Sequence, residues 1–438
     1  TIATDRRSIT EAPRQIPVAG QYDVVVAGGG PAGIAAALAA GKAGARTLVI
    51  ERHGMLGGVW TAGLLNPFFD FRRKGFLVDE LIARLQAAGA WKAWIPQNDW
   101  WCFDTEAMKR VLEAWCDELG VEFWYHCPVV GAVVEGGQMR GVVVEGKSGR
   151  EAVLAAVCVD ASGDGDLAAR AGAAYHLGRN QDGLCQPATM MFEIDGLPAG
   201  WVQGETSTLY NAMQEAIARA NLPYVLPIGA VNYAPWIINV PRPGAAAVQH
   251  THIYRLDARD TRGLSRATAD ARRLANEAVD ILRRIPGLET VRLAQTAPAI
   301  GIRECRRVVG DACLELGDLQ AGRRWDDAVT FGEFCVDIHE PASGAGVASG
   351  HHTPMKPYEI PYRCLLPQGV DGLLVAGRCI SGSHEAHASY RVTGTCMGMG
   401  QAAGTAAAWA SREGTQPRAL DGAALNRRLR TLGCGFLG

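Results

Sequence analysis

The sequence predicts an α/β chain. A three-layer domain on a parallel sheet, extended by a β-meander, is interrupted by an inserted α+β domain. Three observations predict it. Residues 22–51 read as strand, glycine turn, helix, strand and acid. Residues 157–164 and 373–378 are two further apolar runs, each ending in a short turn, far apart in the chain. Between them, residues 177–358 carry several strand patterns and one long amphipathic helix.

The first unit is the most regular. Residues 22–27 (YDVVVA) form a short β-branched run, which reads as a buried parallel strand. Gly28-Gly29-Gly30-Pro31-Ala32-Gly33 follows, then an alanine-rich stretch to residue 43 that favours helix. Residues 46–50 (RTLVI) make a second strand, which ends at Glu51. This is the Rossmann-like unit that binds a dinucleotide. Gly28 permits the tight turn, Gly30 lets the backbone approach a pyrophosphate, and Gly33 lets helix and strand pack closely. With Pro31 and Ala32 they open a helix whose N-terminal amides and dipole suit phosphate. Glu51 is placed to accept hydrogen bonds from ribose hydroxyls and to repel a 2′-phosphate.

Arg52 then leads through Gly57-Gly58 to Thr61. This second glycine turn resembles the flavoprotein pattern E-x-x-x-x-G-G. A plain glycine-rich surface loop is the alternative.

Residues 77–88 and 107–119 read as helices, and 129–135 with 140–144 as strands of a meander. Residues 157–164 run into Asp160-Ala161-Ser162-Gly163-Asp164, which looks like the D-A-T-G motif of large flavoproteins. In the middle region 189–194 and 236–240 read as strands. Residues 248–254 alternate and would set His250 and His252 on one strand face, and 265–285 is an amphipathic helix. Residues 373–378 form a strand ending in Gly377-Arg378. A loop and an Ala/Gly-rich helix containing Gly394, Thr395 and Cys396 follow; by resemblance to flavoproteins the helix N-terminus would point at the flavin ring.

Three further motifs stand out: Gly301-Ile302-Arg303-Glu304-Cys305-Arg306-Arg307, Ile360-Pro361-Tyr362-Arg363-Cys364-Leu365-Leu366-Pro367, and the stretch Gly377 to Arg391 with its His384-Glu385-Ala386-His387 core. By these the chain resembles bacterial FAD-dependent oxidoreductases of the glutathione-reductase superfamily, in the succinate dehydrogenase/fumarate reductase-like branch. The resemblance covers about residues 20–412. It implies FAD as cofactor and sets Val129 and Val130 against the adenine. Two positions depart from the pattern. Cys305 replaces the usual serine, and Arg378 stands where many relatives carry an aspartate that holds the ribityl chain. The expected organisation is an FAD-binding domain of residues 20–176 plus 359–412, a substrate or cap domain of 177–358, and a C-terminal tail of 413–438.

Flavin chemistry further needs a base and groups that orient the substrate. Histidine titrates near working pH, so His384 and His387, just before the flavin-facing helix, are the candidate bases. Hydrogen bonding within their own loop is the alternative. Arg391, Arg303 and Tyr362 are candidates for substrate contact, with Arg363 beside them; salt bridges or packing are the bland reading. His250, His252, His339, His351, His352 and Glu340 match no standard metal spacing, so no metal is expected. Trp91, Trp94, Trp100, Trp101, Trp115 and Trp124 either pack the core or, at 100 or 101, wall a pocket for a ring-shaped substrate.

Composition narrows the function. Lys+Arg is 43 against Asp+Glu 45, a formal charge of −2, so no basic excess draws the chain to nucleic acid or to an anionic membrane. No apolar run approaches the roughly 18 residues of a membrane helix. Residues 1–20 are polar and lack the apolar region of a signal peptide. The 12 cysteines include no C-x-x-C pair, which argues against zinc ribbons and iron–sulfur clusters and fits reduced cytoplasmic thiols. The expectation is a cytoplasmic FAD-dependent dehydrogenase or oxidase that takes a hydride from a hydroxyl- or amine-bearing carbon of a small molecule. Its electron acceptor would be oxygen, a quinone or a protein, and a homo-oligomer is a candidate assembly. Rival readings are reduction of an activated C=C bond, aromatic hydroxylation, and a non-catalytic or RNA-modifying flavin protein. The second lacks the G-D-A-A-H motif at 377–381, and the third lacks a basic tract.

Overall fold

The computed structural model describes residues 13–95, 100–224, 226, 235–342 and 353–437. β1 (Val18–Ala27) is buried over its last four residues, as a central strand must be. Gly30 caps α1 (Pro31–Lys42), with proline at the first helical position, where its missing N–H costs nothing. β2 (Thr47–Ile50) returns parallel to β1. After α2 (Leu77–Ala87), β3 (Trp91–Ile95) and β4 (Trp100–Phe103) form a tryptophan-rich hairpin. α3 (Thr105–Glu118) starts at Asp104, whose carboxylate accepts the Ala107 N–H at 2.9 Å. β5 (Glu122–Trp124) pairs parallel with β2. The meander is β6 (Val129–Glu135), β7 (Gln138–Gly146) and β8 (Gly149–Asp160).

α4 (Asp166–Arg170) and β9 (Tyr175–Leu177) lead into the cap. There β10 (Phe192–Asp195), α5 (Thr206–Ala220), β11 (Trp236–Asn239), β12 (Ala246–Gln249), α6 (Thr261–Leu282) and β13 (Arg292–Thr296) follow. The strands form an antiparallel sheet in the order β11-β12-β10-β13. The helices bury Leu209, Met213, Ala275, Ala278 and Leu282 against Phe192, Ile194, Ile237 and Val248 of that sheet. The chain returns through β14 (Arg306–Val308), α7 (Leu316–Ala321), β15 (Ala328–Gly332) and β16 (Tyr358–Pro361) to β17 (Leu373–Val375). α8 (His384–Tyr390), α9 (Thr393–Glu413) and α10 (Gly422–Thr431) complete it.

The main sheet runs β5-β2-β1-β8, all parallel. β8 is long enough to take two partners on its far edge. Its first half pairs antiparallel with β7, and its last three residues pair parallel with β17. β1, β8 and β17 therefore end together, at the edge where α/β sheets bind ligands. α9 lies directly on α1. A Cβ on Gly400 would fall 2.1 Å from the Ala32 carbonyl oxygen, and one on Gly404 1.9 Å from that of Ala36, so glycine alone permits this approach.

One expectation fails here. Residues 248–254 are not one strand. β12 stops at Gln249 because the Thr251 hydroxyl takes over the backbone of Met190, accepting its N–H and donating to its carbonyl, each at 2.9 Å. His250 and His252 therefore share no strand face, and the His252 ring turns back to the His250 carbonyl at 3.0 Å. The C-terminal residues 413–437 include α10, which buries Leu425 and Leu429. Among the described residues no helix is long and apolar enough to cross a membrane.

Candidate active site

A cavity of about 890 Å³ opens at the shared end of β1, β8 and β17. That is near the top of the range for ligand pockets, roughly 300–1,000 Å³. Its floor is the glycine turn. Gly28, at φ +99°, runs so close to Ala161 that a Cβ would sit 2.6 Å from its carbonyl oxygen. A Cβ on Gly33 would fall 1.8 Å from the Gly28 oxygen, so Gly33 sets the helix against the strand and stays off the cavity wall. Gly30, Pro31 and Ala32 line the cavity, and α1 has no acidic residue in its first turn to quench its N-terminal charge.

Glu51 is buried, with one carboxylate oxygen accepting the Gly29 N–H and the other the His53 N–H, each at 2.8 Å. A carboxylate has about four acceptor sites, so it braces the turn and retains capacity for ribose hydroxyls. Arg52 and Gly58 line the cavity beside it. Gly57 and Thr61 do not. Gly57 donates its N–H to the Gly29 carbonyl at 2.7 Å, and the Thr61 hydroxyl bonds the Leu56 carbonyl, so this pair holds the two glycine turns together.

Val129, Val130, Ala161, Ser162 and Gly163 line the same end. Asp160 shapes the Ser162 turn by accepting its N–H at 3.0 Å, its hydroxyl at 2.6 Å and the Ala168 N–H at 2.8 Å. Gly377 and Arg378 close the wall, with Arg378 paired to Asp164 at 2.8 Å. Of the α9 residues, Thr393 and Cys396 face the cavity. Gly394 and Thr395 do not: the Gly394 N–H donates to the Phe69 carbonyl at 3.0 Å, and the Thr395 hydroxyl bonds Asp70. These two fasten α9 to the 69–70 segment rather than donating to a ring. Burial pushes the Cys396 and Cys305 thiols up to about 12, which leaves them inert.

FAD fits this lining. Glycines stand where a Cβ would obstruct, a helix N-terminus faces the floor, and a carboxylate ends β2. Three buried cavity-lining polar atoms, Arg378 Nη1, Arg391 Nε and Thr393 Oγ1, lack a hydrogen-bond partner among the described residues, as expected of a wall built for a polar ligand.

The proposed bases are corrected. His384 is buried and its Nδ1 lies 2.9 Å from Glu304 Oε1. The same oxygen accepts from Arg307, and the other Glu304 oxygen accepts the Gln186 N–H at 3.1 Å. Arg307 also donates to the carbonyls of Gly382 (2.9 Å) and Gly178 (2.8 Å). Glu304 and Arg307 of the first signature stretch thus meet His384 of the second in a buried charge cluster off the cavity, while Arg303, Arg378 and Arg391 of the same stretches line it. His387 is 1% exposed and lies off the cavity lining. Burial first, then the charges of Arg307, Arg391 and Arg378, hold its pKa well below the ordinary value. Tyr362 is buried with its hydroxyl donating to the Pro417 carbonyl at 2.9 Å, and Arg363 pairs with Asp327 at 2.9 Å. Neither reaches the cavity.

Arg303 and Arg391 do line it, and between them stands a pair that sequence reasoning passed over as acid and base. His339 Nε2 lies 3.0 Å from Asp337 Oδ2, and Arg391 Nη2 lies 3.0 Å from the same oxygen. Arg303 Nη1 donates to the Pro187 carbonyl at 2.7 Å and to Thr189 Oγ1 at 2.6 Å. Burial, reinforced by Arg303, lowers the His339 pKa to about 4 against the opposing pull of Asp337. Burial works against ionisation of Asp337, but His339, Arg391 and Arg303 outweigh it and hold its carboxyl well below the usual range. The ring is therefore neutral near pH 7, and with Nε2–H directed at Asp337 its basic lone pair is on Nδ1. No group of three or more metal-ligating side chains occurs among the described residues. His351 and His352 lie outside them.

Phe69, Trp100, Trp236 and Phe334 form the facing wall. Trp100 and Trp236 lie 5.4 Å apart between ring centroids, and Trp94 packs behind both at 5.3 and 5.7 Å. Trp101 instead stacks on Trp91 at 5.6 Å, away from the cavity. The W-W-C-F pattern of β4 was the available signal: alternate residues of a strand face opposite ways, so the two tryptophans had to meet different surroundings.

The family described as FAD dependent oxidoreductase matches residues 23–429. This overturns the resemblance to the succinate dehydrogenase/fumarate reductase-like branch, as does the identity of the relatives. A digeranylgeranylglycerophospholipid reductase of Thermoplasma volcanium is 28% identical over 155 residues, 32% of this chain and 39% of that protein. A thiamine thiazole synthase of Aeropyrum pernix is 30% identical over 143 residues, 32% of this chain and 50% of that protein. The chain thus spans half or less of the length of these curated relatives. Among solved structures, a geranylgeranyl bacteriochlorophyll reductase-like protein from Thermoplasma acidophilum superposes with a TM-score of 0.46 at 15% identity, covering 94% of this chain and 83% of that one. The flavin-dependent brominase Bmp2 gives 0.48 at 13% identity, with the same coverage.

Proposed function

The chain belongs to the FAD dependent oxidoreductase family and is an FAD-using enzyme; from that premise we propose that it oxidises a hydroxyl- or amine-bearing carbon of a small organic molecule, with His339 as the base. FAD, when bound, supplies a two-electron acceptor. Gly30, the N-terminus of α1 and Glu51 would hold its ADP half, and Arg378 and Thr393 its remaining polar groups. In the net reaction the carbon loses a hydride and its hydroxyl or amine loses a proton, leaving a carbonyl or imine. The two electrons pass on to oxygen, a quinone or a protein.

The observation that carries the reading is the Asp337–His339 contact on the cavity wall. His339 takes the substrate proton on Nδ1. Asp337 fixes the tautomer and stabilises the imidazolium that forms. Arg391 holds Asp337 in position, while Arg303 lies where it can bind a substrate oxygen. The aromatic wall excludes water from the reacting carbon. The test is anaerobic bleaching of the flavin-loaded protein by pooled alcohols, sugars, amines and phenols. Bleaching that slows in Asp337→Asn and disappears in His339→Gln supports the assignment. Bleaching at the wild-type rate in His339→Gln removes His339 from it.

A second reading has one observation in its favour: the Thermoplasma relatives matched over part of the chain carry the name reductase. In it the same polar cluster would donate a proton to a C=C bond. Photoreduced protein reoxidised by alkenes, and never bleached by alcohols or amines, would favour that direction.

A further inference from the structure

We propose that the substrate is a compact planar-ring carboxylic acid, its ring against Trp100 and Trp236 and its carboxylate on Arg303. This rests on the oxidative reading of the same site. The wall is the first argument. Four aromatic side chains, Phe69, Trp100, Trp236 and Phe334, line one end of the cavity. They are tied into one surface: Phe69 meets Trp100 edge-on at 6.3 Å and Phe334 at 5.5 Å. Large aromatics that line a cavity instead of filling it are a binding surface, and a flat ring matches them best.

Charge is the second argument. The polar end holds two guanidinium groups, Arg303 and Arg391, against one carboxylate, Asp337. A protonated His339 would only add to the positive excess. Glu205 also lines the cavity, but it is exposed and screened by solvent. A partly buried cationic excess beside an apolar wall selects an anion that brings its own apolar body. Reach is the third argument. Phe334 and Asp337 are three residues apart on one segment, so their backbones lie within about 10 Å of each other and the Phe334 edge of the wall adjoins the charge. A ring and a carboxylate joined by few bonds suit that spacing.

The test is equilibrium binding to the FAD-loaded protein, read by quenching of tryptophan fluorescence and by displacement of the flavin absorption band, with phenylacetate, acetate and phenylacetamide as probes. Phenylacetate should bind saturably and at least about tenfold more tightly than either of the others. Arg303→Gln should abolish the preference over the amide, and Trp100→Leu the preference over acetate. The proposal is overturned if the three probes bind the wild type within twofold of each other, if none binds saturably, or if Arg303→Gln holds phenylacetate as well as wild type does. The wild-type ratios need no variant to fold. Binding without any turnover of hydroxyl or amine substrates would sink the oxidative reading and leave this one standing. Turnover confined to neutral or acyclic substrates would do the reverse.

Discussion

Replacing Glu304 with alanine would leave Arg307 as a charge that is 2% exposed and has lost its carboxylate partner. Removing one member of a buried pair costs about 3–5 kcal/mol. The Gln186 N–H and His384 Nδ1 would lose their acceptor as well. His384→Ala removes a single donor to a carboxylate that keeps its other partners, at a cost of about 1–3 kcal/mol. The expected order of stability is wild type, then His384→Ala, then Glu304→Ala, by urea unfolding of the flavin-loaded protein. Turnover per folded, flavin-loaded His384→Ala molecule should stay within a few-fold of wild type, whereas loss of a general base costs about 10²–10⁴. An His384→Ala variant as stable as wild type, yet slower by that factor, would refute the structural assignment of His384.

Other outcomes follow from the same geometry. His339→Gln should lower turnover by about 10²–10⁴ while leaving flavin content unchanged, checked by absorbance after gel filtration. Gly33→Ala places a Cβ 1.8 Å from the Gly28 oxygen, so it should lower both flavin occupancy and stability, the latter by at least about 1–3 kcal/mol. Glu51→Ala should stay soluble but lose FAD on dialysis; full occupancy would contradict the ribose role. Acid should destabilise the protein through His339, whose folded pKa is near 4 against an ordinary 6.5. The unfolded chain binds the extra proton between those values, so stability is fully present above about 6.5 and falls as pH drops toward 4. His250, held near 4 by burial, acts in the same direction. The groups that face His339 are Asp337, Arg303, Arg391 and the stacked ring of His252. His339→Gln should therefore flatten part of the pH dependence of thermal unfolding.

The dinucleotide half of the site was legible because its chemistry is local. Turn, helix start and terminal acid fall within residues 28–51, and each glycine answers a nearby steric demand. The substrate half was legible only in pieces: Trp100, Arg303 and Arg391 stood out singly, but Trp236, Asp337 and His339 come from distant segments and join them only after the cap is folded. His384 and His387 misled because closeness in sequence to the flavin-facing helix stood in for direction in space. α8 turns their side chains inward, away from the cavity. The break of β12 at Gln249 was hidden for a related reason, since the Thr251 hydroxyl competes with a ladder partner 61 residues away.

The contact of Gly400 and Gly404 with the backbone of α1 has a mechanical consequence. Two helices meshed without side chains between them cannot slide or splay unless backbone atoms collide, because packed interiors are nearly incompressible. α1 and α9 therefore act as one stiff unit, which fixes the spacing of the two helix starts that line the cavity. Movement that admits substrate must take place outside that pair.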